Sequence, residues 1–224
     1  MLIMSGSTIS ITMGILTCPL KEENSSPVGF SDLPIDVLEK VVGKSGLHVC
    51  LALRKVSRGL QKLVDTSEIH CEKICFEFEE IDSEITLQTG DQDPTWDTIE
   101  YCQMFHGLCQ VATKKNFALK SEKLVPTLNF KRLMVDDAST FLKNPKLKIG
   151  HISFHVASKE SISDFLDYLK TLDFPLDVRS VFVSTCDGSI LLQILQSLKP
   201  EALEKISFFD YTVDQWVEIA ETKQ

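Results

Sequence analysis

The chain has 224 residues, 43% of them hydrophobic and 25% charged, which is the composition of a folded globular protein and excludes a disordered or fibrous chain. This length accommodates one large domain or two small ones. The formal net charge of -9 argues against a nucleic-acid or anionic-membrane binder, because contacts to phosphate groups require clustered lysine and arginine, so neither kind of partner is expected.

Residues 1–29 are predicted to be a disordered tail and linker. The first twenty residues are apolar, but no lysine or arginine precedes Lys21, and serines and threonines interrupt the run. The segment therefore lacks the positive flank of a secretory signal, and it is shorter than a membrane span. The polar residues 21–27 then lead into the next module.

Residues 30–65 predict three short helices. Asp32 and Pro34 supply the cap and the first-turn proline of the first helix. A second helix is predicted over Leu47–Val56, and Ser57 can cap a third. Three short helices cannot bury this many apolar side chains among themselves, so the surplus is expected to face a partner or a neighbouring domain.

The segments LPIDVLEKVV, LALRKVS and LQKLVD resemble the successive parts of an F-box, which is expected over residues 30–66. The resemblance implies binding to the Skp adaptor of a Skp–cullin–F-box ubiquitin ligase and, through the adaptor, to cullin. It assigns adaptor binding to Leu33, Pro34, Val37, Leu38, Val41, Leu47, Leu51, Leu53, Val56, Leu60 and Leu63. Gly46 and Leu60 depart from the family pattern, in which an acidic residue and a tryptophan are frequent at these positions. The alternative is an ordinary helical bundle whose apolar residues are all internal.

Residues 67–224 predict a second domain of α/β class. Alternation of apolar and polar residues over 73–79 and 84–88 predicts a β-hairpin. Apolar spacing over 130–142 predicts a helix that ends before the Asn144-Pro145 pair.

A repeated spacing follows the predicted helix. Segments that begin at Ile149, Val178 and Leu203 share an L-x-x-L-x-L-like pattern, and their starts lie 29 and 25 residues apart. Helices are predicted between and after these segments, over residues 162–172, 189–198 and 213–220. Such strand–helix units resemble leucine-rich repeats, whose parallel sheet leaves one face available to bind a protein. The alternative is a small closed α/β domain without an extended face.

The same region resembles the FTH domain, which follows the F-box in the nematode F-box A family. The resemblance rests on the segments ICFEF, EITL, IEYCQMFHGLCQV, LKNPKLKIGHISF and LEKISFFDYTVDQW. It implies that residues 67–224 hold an unknown protein substrate, so that the chain is a non-catalytic, substrate-recognition subunit. Because family members generally continue further, the resemblance also raises the expectation of a C-terminal truncation.

The alternative functions are a repeat-type interaction scaffold or decoy without ligase activity, and an unrecognised enzyme or metal protein. Gly43-Lys44-Ser45 copies the end of a phosphate-binding loop, but Leu38 stands where that motif requires glycine. No catalytic constellation and no cofactor are predicted.

The seven cysteines are odd in number and scattered, which favours reduced thiols and a cytoplasmic or nuclear location. The groups His70-Cys71-x3-Cys75 and Cys102-x3-His106-x2-Cys109 contain enough ligands for a zinc ion. Neither has the C-x2-C spacing of common structural sites. We therefore predict that these cysteines act as small apolar side chains and that no metal is bound.

Charge is distributed unevenly along the chain. Residues 66–100 hold 11 acids and one lysine, whereas residues 113–148 hold nine lysines and arginines and three acids. Such runs usually form solvated faces. A basic patch that binds acidic or phosphorylated partners is the alternative for residues 113–148.

Overall fold

The structure is a computed structural model that describes residues 33–45, 47–89, 95–127, 129–210 and, as backbone, 215–221. The predicted tail over 1–29, Asp32 and Gly46 lie outside the described residues. Residues from Ile35 onward cluster into one compact unit, and those before it, of which Leu33 and Pro34 are described, into another.

Three helices open the larger unit, in agreement with the prediction. They are α1 (Ile35–Lys44), α2 (Leu47–Arg54) and α3 (Arg58–Thr66). The side chain of Ser57 caps α3 by accepting a hydrogen bond from the Leu60 amide at 3.2 Å. Arg54 at the end of α2 donates two hydrogen bonds to the Asp65 carboxylate, at 2.6 and 3.2 Å, and so fixes α2 against α3.

A nine-stranded sheet follows the helices. Its strands are β1 (Ile69–Phe78), β2 (Asp82–Thr89), β3 (Thr95–Gln103), β4 (Leu108–Lys115), β5 (Ala118–Pro126), β6 (Leu147–Val156), β7 (Asp177–Thr185), β8 (Lys205–Asp210) and β9 (Gln215–Glu221). Their order is β5-β4-β3-β2-β1-β6-β7-β8-β9. Strands β5 to β1 form an antiparallel meander that contains the predicted hairpin, whereas β1, β6, β7 and β8 are parallel.

Helices connect the parallel strands. They are α4 (Phe130–Leu142) before β6, α5 (Lys159–Lys170) between β6 and β7, and α6 (Gly188–Gln196) between β7 and β8. The three strands predicted from the repeated spacing are therefore present, side by side and in chain order. None of the helices in the described part of the chain has both the length and the apolar composition of a membrane span.

The helix predicted over residues 213–220 is wrong. Residues 215–221 form β9, which pairs antiparallel with β8. The sequence QWVEIAE contains tryptophan, valine and isoleucine, which favour strands. Pairing with β9 also satisfies the backbone amides and carbonyls of β8, which would otherwise lie at an open edge.

An aromatic cluster forms the centre of the core. Phe165 of α5 lies 4.9, 5.3 and 5.9 Å, between ring centroids, from Phe76, Phe78 and Phe154. All four side chains are buried. The cluster joins the antiparallel half of the sheet to the parallel half, because β1 and β6 are the strands on which the two halves meet.

The repeated spacing places three side chains of β6 and three of β7 in the core, whereas the corresponding residues of the third repeat, Leu203, Ile206 and Phe208, are half-buried. In β6, Ile149, Ile152 and Phe154 are all buried, and β1 has the same pattern at its own positions. A three-residue step is incompatible with strict alternation, so the strand deviates between the first two positions. Gly150 lies at this deviation, where a Cβ atom would stand 2.8 Å from the Glu72 carbonyl oxygen, so only glycine fits without a shift.

Candidate protein-binding surfaces

Among the described residues of the helical module, four large aliphatic side chains are exposed. Ile35, Val37 and Val41 of α1 expose 62%, 37% and 36% of their surface, and Val56 after α2 exposes 70%. Val37 and Val41 lie one turn apart on α1, and we use the name helical apolar patch for the four residues as a set. Aliphatic side chains left in water over such a short segment are typical of a protein-binding surface.

The residues assigned to adaptor binding divide into three groups. Pro34, Val37, Val41 and Val56 are exposed. Leu33, Leu51 and Leu53 are half-buried. Leu38, Leu47, Leu60 and Leu63 are buried. The buried group shares the helical core with Val42, Cys50 and Val64, so in this conformation it supports the helices and offers no surface to a partner.

Sequence reasoning missed Ile35. This residue follows Pro34 directly and lies on the same helical stripe as Leu38 and Val42, which are buried. The periodicity alone therefore assigns Ile35 to the core, whereas in the structure it is the first residue of α1 and is exposed.

The neighbouring sheet covers part of the apolar surplus of the helices. Helix α1 contacts β1, and α2 contacts both β1 and β2. Asn144, which is buried, connects the two regions through its side chain. Its Nδ2 donates to the carbonyl oxygens of Val64 and Ser67, at 3.1 and 3.0 Å, and its Oδ1 accepts from the Lys146 amide at 2.9 Å. Asn144 thereby pairs with the Ser67 carbonyl and adds a second partner to the Val64 carbonyl, which also accepts from the Ser67 amide at 3.3 Å.

A second surface lies on the face of the parallel strands opposite the aromatic cluster. Side chains alternate between the faces of a strand, so this surface carries the residues between the core positions. We call it the polar face; a cavity there is lined by Lys73, His151, Ser153, His155, Ser180, Phe182, Ser184, Lys205, Ser207 and Phe209. The combination of hydroxyls, imidazoles, cations and two aromatic rings suits recognition of a polypeptide.

His151 is the most strongly perturbed base on the polar face. Burial, together with the nearby charge of Lys73, lowers its pKa to about 4. Its Nδ1 lies 3.1 Å from the Ser180 hydroxyl, with which the neutral ring shares a hydrogen bond. His151 is therefore uncharged at neutral pH.

The depressed pKa of His151 predicts a pH dependence of stability. In the unfolded chain the imidazole of His151 binds a proton near its ordinary pKa of 6.5, whereas in the folded chain it does so only near pH 4. The neutral ring therefore makes its full contribution to the free energy of unfolding above pH 6.5, and this contribution is lost as the pH falls towards 4. When the pH is lowered from 7 to 5, the free energy of unfolding should fall by about 1–2 kcal/mol less in His151→Gln than in the parent chain, after allowing for solvent screening. Urea unfolding at both pH values measures this. The control is His70→Gln, because His70 is exposed, and an equal loss in all three proteins would contradict the assignment.

Three glutamates of the acidic run lie side by side at one end of the same face. Glu77, Glu84 and Glu100 are register partners on β1, β2 and β3. Burial raises the pKa of Glu84, and the neighbouring charges of Glu77 and Glu100 act in the same direction. The Lys114 ammonium forms an ion pair with Glu100.

Cations of the basic run are distributed over separate elements. Lys114 lies on β4, Lys148 forms a 3.0 Å ion pair with Glu68, and Arg132 lies 3.3 Å from Asp136 on α4. These ion pairs neutralise part of the positive charge of the basic run within the chain.

Among the described residues, His70, Cys71 and Cys75 do not come together as a metal cluster, and the side chain of His106, which the second group requires, lies outside the described residues. Cys71 is buried, whereas Cys75 is half-buried on the polar face. Cys102 and Cys109 lie on β3 and β4. Cys75 instead lies close to Glu77 and His155, and the ligand atoms of these three residues are all within 4.8 Å of one another.

Comparison with known proteins finds similarity to two domain families. The F-box domain model matches residues 30–72, and the FTH domain model matches residues 159–224. The chain is similar to F-box A protein 224 of Caenorhabditis elegans, with 26% identity over 193 residues that cover 83% of this chain and 48% of the relative. The chain thus spans about half the length of that relative. No solved structure matches it significantly.

Both predicted domain families are matched, but residues 73–158, which the sequence resemblance placed in the FTH domain, lie outside both matched ranges. The F-box match contains α1, α2 and α3, and the FTH match begins at the first residue of α5. Residues 30–72 are thus similar to F-box domains and residues 159–224 to FTH domains, and the chain as a whole is similar to a nematode F-box A protein.

Proposed function

We propose that this chain is the substrate-recognition subunit of a Skp–cullin–F-box ubiquitin ligase. An F-box implies binding of a Skp-type adaptor, and the FTH domain and the F-box A relative support a substrate-adaptor role. The observation that carries the proposal is the helical apolar patch, since its four exposed aliphatic residues all lie inside the matched F-box range.

The magnitude of the apolar effect favours the patch over the buried leucines as the contact surface. Burying one aliphatic side chain fully contributes roughly 1.5–3 kcal/mol. The patch therefore offers several kcal/mol that the folded chain has not already used. Leu38 and Leu60 have already gained this contribution inside the helical core, so they would act by holding the patch in place.

The proposed mechanism is a bridge between a ligase and its target. The F-box would attach to the adaptor and, through it, to cullin, while the domain over residues 67–224 holds an unknown protein substrate. We place the substrate on the polar face. In strand–helix units of the leucine-rich-repeat kind, the strands β1, β6 and β7 would contact the substrate on this face. The chain would contribute proximity, which lowers a barrier without a catalytic side chain. Its compartment would be the cytoplasm, the nucleus or both.

Charge introduced into the helical apolar patch should abolish adaptor binding. We expect Val37→Asp combined with Val41→Asp to weaken the complex with a co-expressed Skp adaptor more than about 100-fold, because unpaired charges buried at an interface cost several kcal/mol. Both valines are partly exposed, so the variant should fold. The control is Lys40→Asp, an exposed residue on the same helix. Co-purification and calorimetric titration give the result.

The outcomes separate the proposal from its alternatives. An undiminished complex in the double variant would contradict adaptor binding through this patch. A normal complex of the parent chain, combined with unchanged turnover of co-purifying proteins when the chain is depleted, would favour a scaffold or decoy.

A further inference from the structure

Three potential metal ligands of different chemistry meet on the polar face. Cys75 and Glu77 are two residues apart on β1 and so lie on the same face of the strand. His155 is the register partner of Glu77 on β6. The thiol sulfur of Cys75 is 3.9 Å from Glu77 Oε1, and no two of the three ligand atoms are more than 4.8 Å apart.

These distances are close to those of a tetrahedral zinc site. Zinc–sulfur and zinc–oxygen bonds of about 2.3 and 2.1 Å, at a tetrahedral angle, place the sulfur and the oxygen about 3.6 Å apart. The 3.9 Å separation therefore needs a change of only a few tenths of an ångström. One thiolate, one imidazole and one carboxylate are all established zinc ligands, and the thiolate disfavours magnesium and calcium.

The surroundings prepare two of the ligands in different ways. Burial and the charge of Lys73 lower the pKa of His155, so its ring is neutral and carries a free lone pair at neutral pH. Burial raises the pKa of the Cys75 thiol, so a bound cation must displace a proton, which passes to solvent as the metal–sulfur bond forms. Glu84, the register partner of Glu77, adds negative charge beside the site.

We propose that Cys75, Glu77 and His155 bind one Zn²⁺ ion, with a fourth coordination position open to water. The site goes beyond the adaptor role and does not depend on it. It connects β1 with β6, which are adjacent parallel strands from distant parts of the chain. The ion would lie beside the cavity of the polar face, where its open position can accept a side chain of a bound protein.

The test measures metal binding by the purified full chain. After incubation with zinc chloride and desalting, elemental analysis should give about one zinc per chain, and titration against a competing chelator gives its affinity. Cys75→Ser and His155→Asn should each weaken binding more than about 100-fold, since loss of even outer-shell partners costs 10–100-fold. The matched controls are Cys186→Ser, an exposed thiol, and His151→Asn, a histidine of the same face, which should bind zinc as the parent chain does.

Cobalt provides a second measurement on the unmodified chain. Co²⁺ in the site should give a sulfur-to-metal charge-transfer absorption that zinc abolishes and that Cys186→Ser retains. This absorption does not depend on whether a ligand variant folds. The proposal is overturned if the chain retains no zinc after desalting, if the charge-transfer absorption is absent, or if folded Cys75→Ser and His155→Asn bind zinc as tightly as the controls.

Discussion

Replacing Phe165 by alanine is expected to lower the free energy of unfolding by about 3–5 kcal/mol. Phe165 is 1% exposed, and its ring contacts Phe76, Phe78 and Phe154. Truncation removes both the transfer free energy of the ring and its contacts with these neighbours. The surrounding strands are hydrogen-bonded in a sheet, so they cannot close the cavity.

Urea unfolding, followed by the far-ultraviolet signal, measures the effect of Phe165→Ala. The control is Leu192→Ala on α6, where the side chain is 62% exposed and the loss should stay within about 0.5 kcal/mol. A loss below about 1 kcal/mol for Phe165→Ala would show that the aromatic cluster is not the centre of the core.

Asn144→Ala is expected to cost about 2–4 kcal/mol, although Asn144 is a polar residue in a loop. The substitution leaves two carbonyl oxygens, of Val64 and Ser67, and the Lys146 amide without their side-chain partner. The Val64 carbonyl keeps the Ser67 amide as a partner, but the other hydrogen bonds of this buried side chain are lost, so the effect should exceed that of an exposed cap. We also expect the amides at the end of α3 to exchange with solvent faster.

The comparison for Asn144→Ala is Asn129→Ala. Asn129 is exposed, and its side chain caps α4 by accepting from the Arg132 amide at 2.8 Å. Loss of this cap should cost about 1 kcal/mol. Equal losses for the two variants, or unchanged exchange at the end of α3, would contradict a connecting role for Asn144.

Local patterns predicted most of the helices and strands. The capping serine of α3, the alternation of β1 and β2, and the repeated spacing of β6 and β7 all describe residues close together in the chain. Each pattern is a direct consequence of helix or strand geometry. Sequence and structure therefore agree wherever the determining contacts are local.

None of β3, β4, β5 and β9 was predicted as a strand from the sequence. Strands β3 and β4 lie inside the sheet, whereas β5 and β9 lie at its two edges. Strand β5 is exposed at nearly every residue, so no buried face produces alternation in ALKSEKLVP. The segment that forms β9 was predicted as a helix. Its pairing with β8, which local spacing does not reveal, determines its conformation. Tertiary context decides in both cases.

The candidate surfaces also depend on contacts between distant residues. Val37 and Leu38 are neighbours and equally apolar, yet one is exposed and the other buried, because the sheet and the other helices cover only one side of α1. The proposed zinc ligands come from β1 and β6, which are separated by β2 to β5 and α4 in the chain. Only the register of these strands brings His155 opposite Glu77.

The short connection between α3 and β1 has a consequence for the proposed ligase. Only Ser67 and Glu68 separate the two elements, and Asn144 fastens the same junction. A target on the polar face would therefore be held at a constant distance and angle from the cullin that the F-box binds through the adaptor. Ubiquitin would then reach only lysines within a fixed radius of the binding site, so position in space, and not the residues around a lysine, would decide which ones are modified.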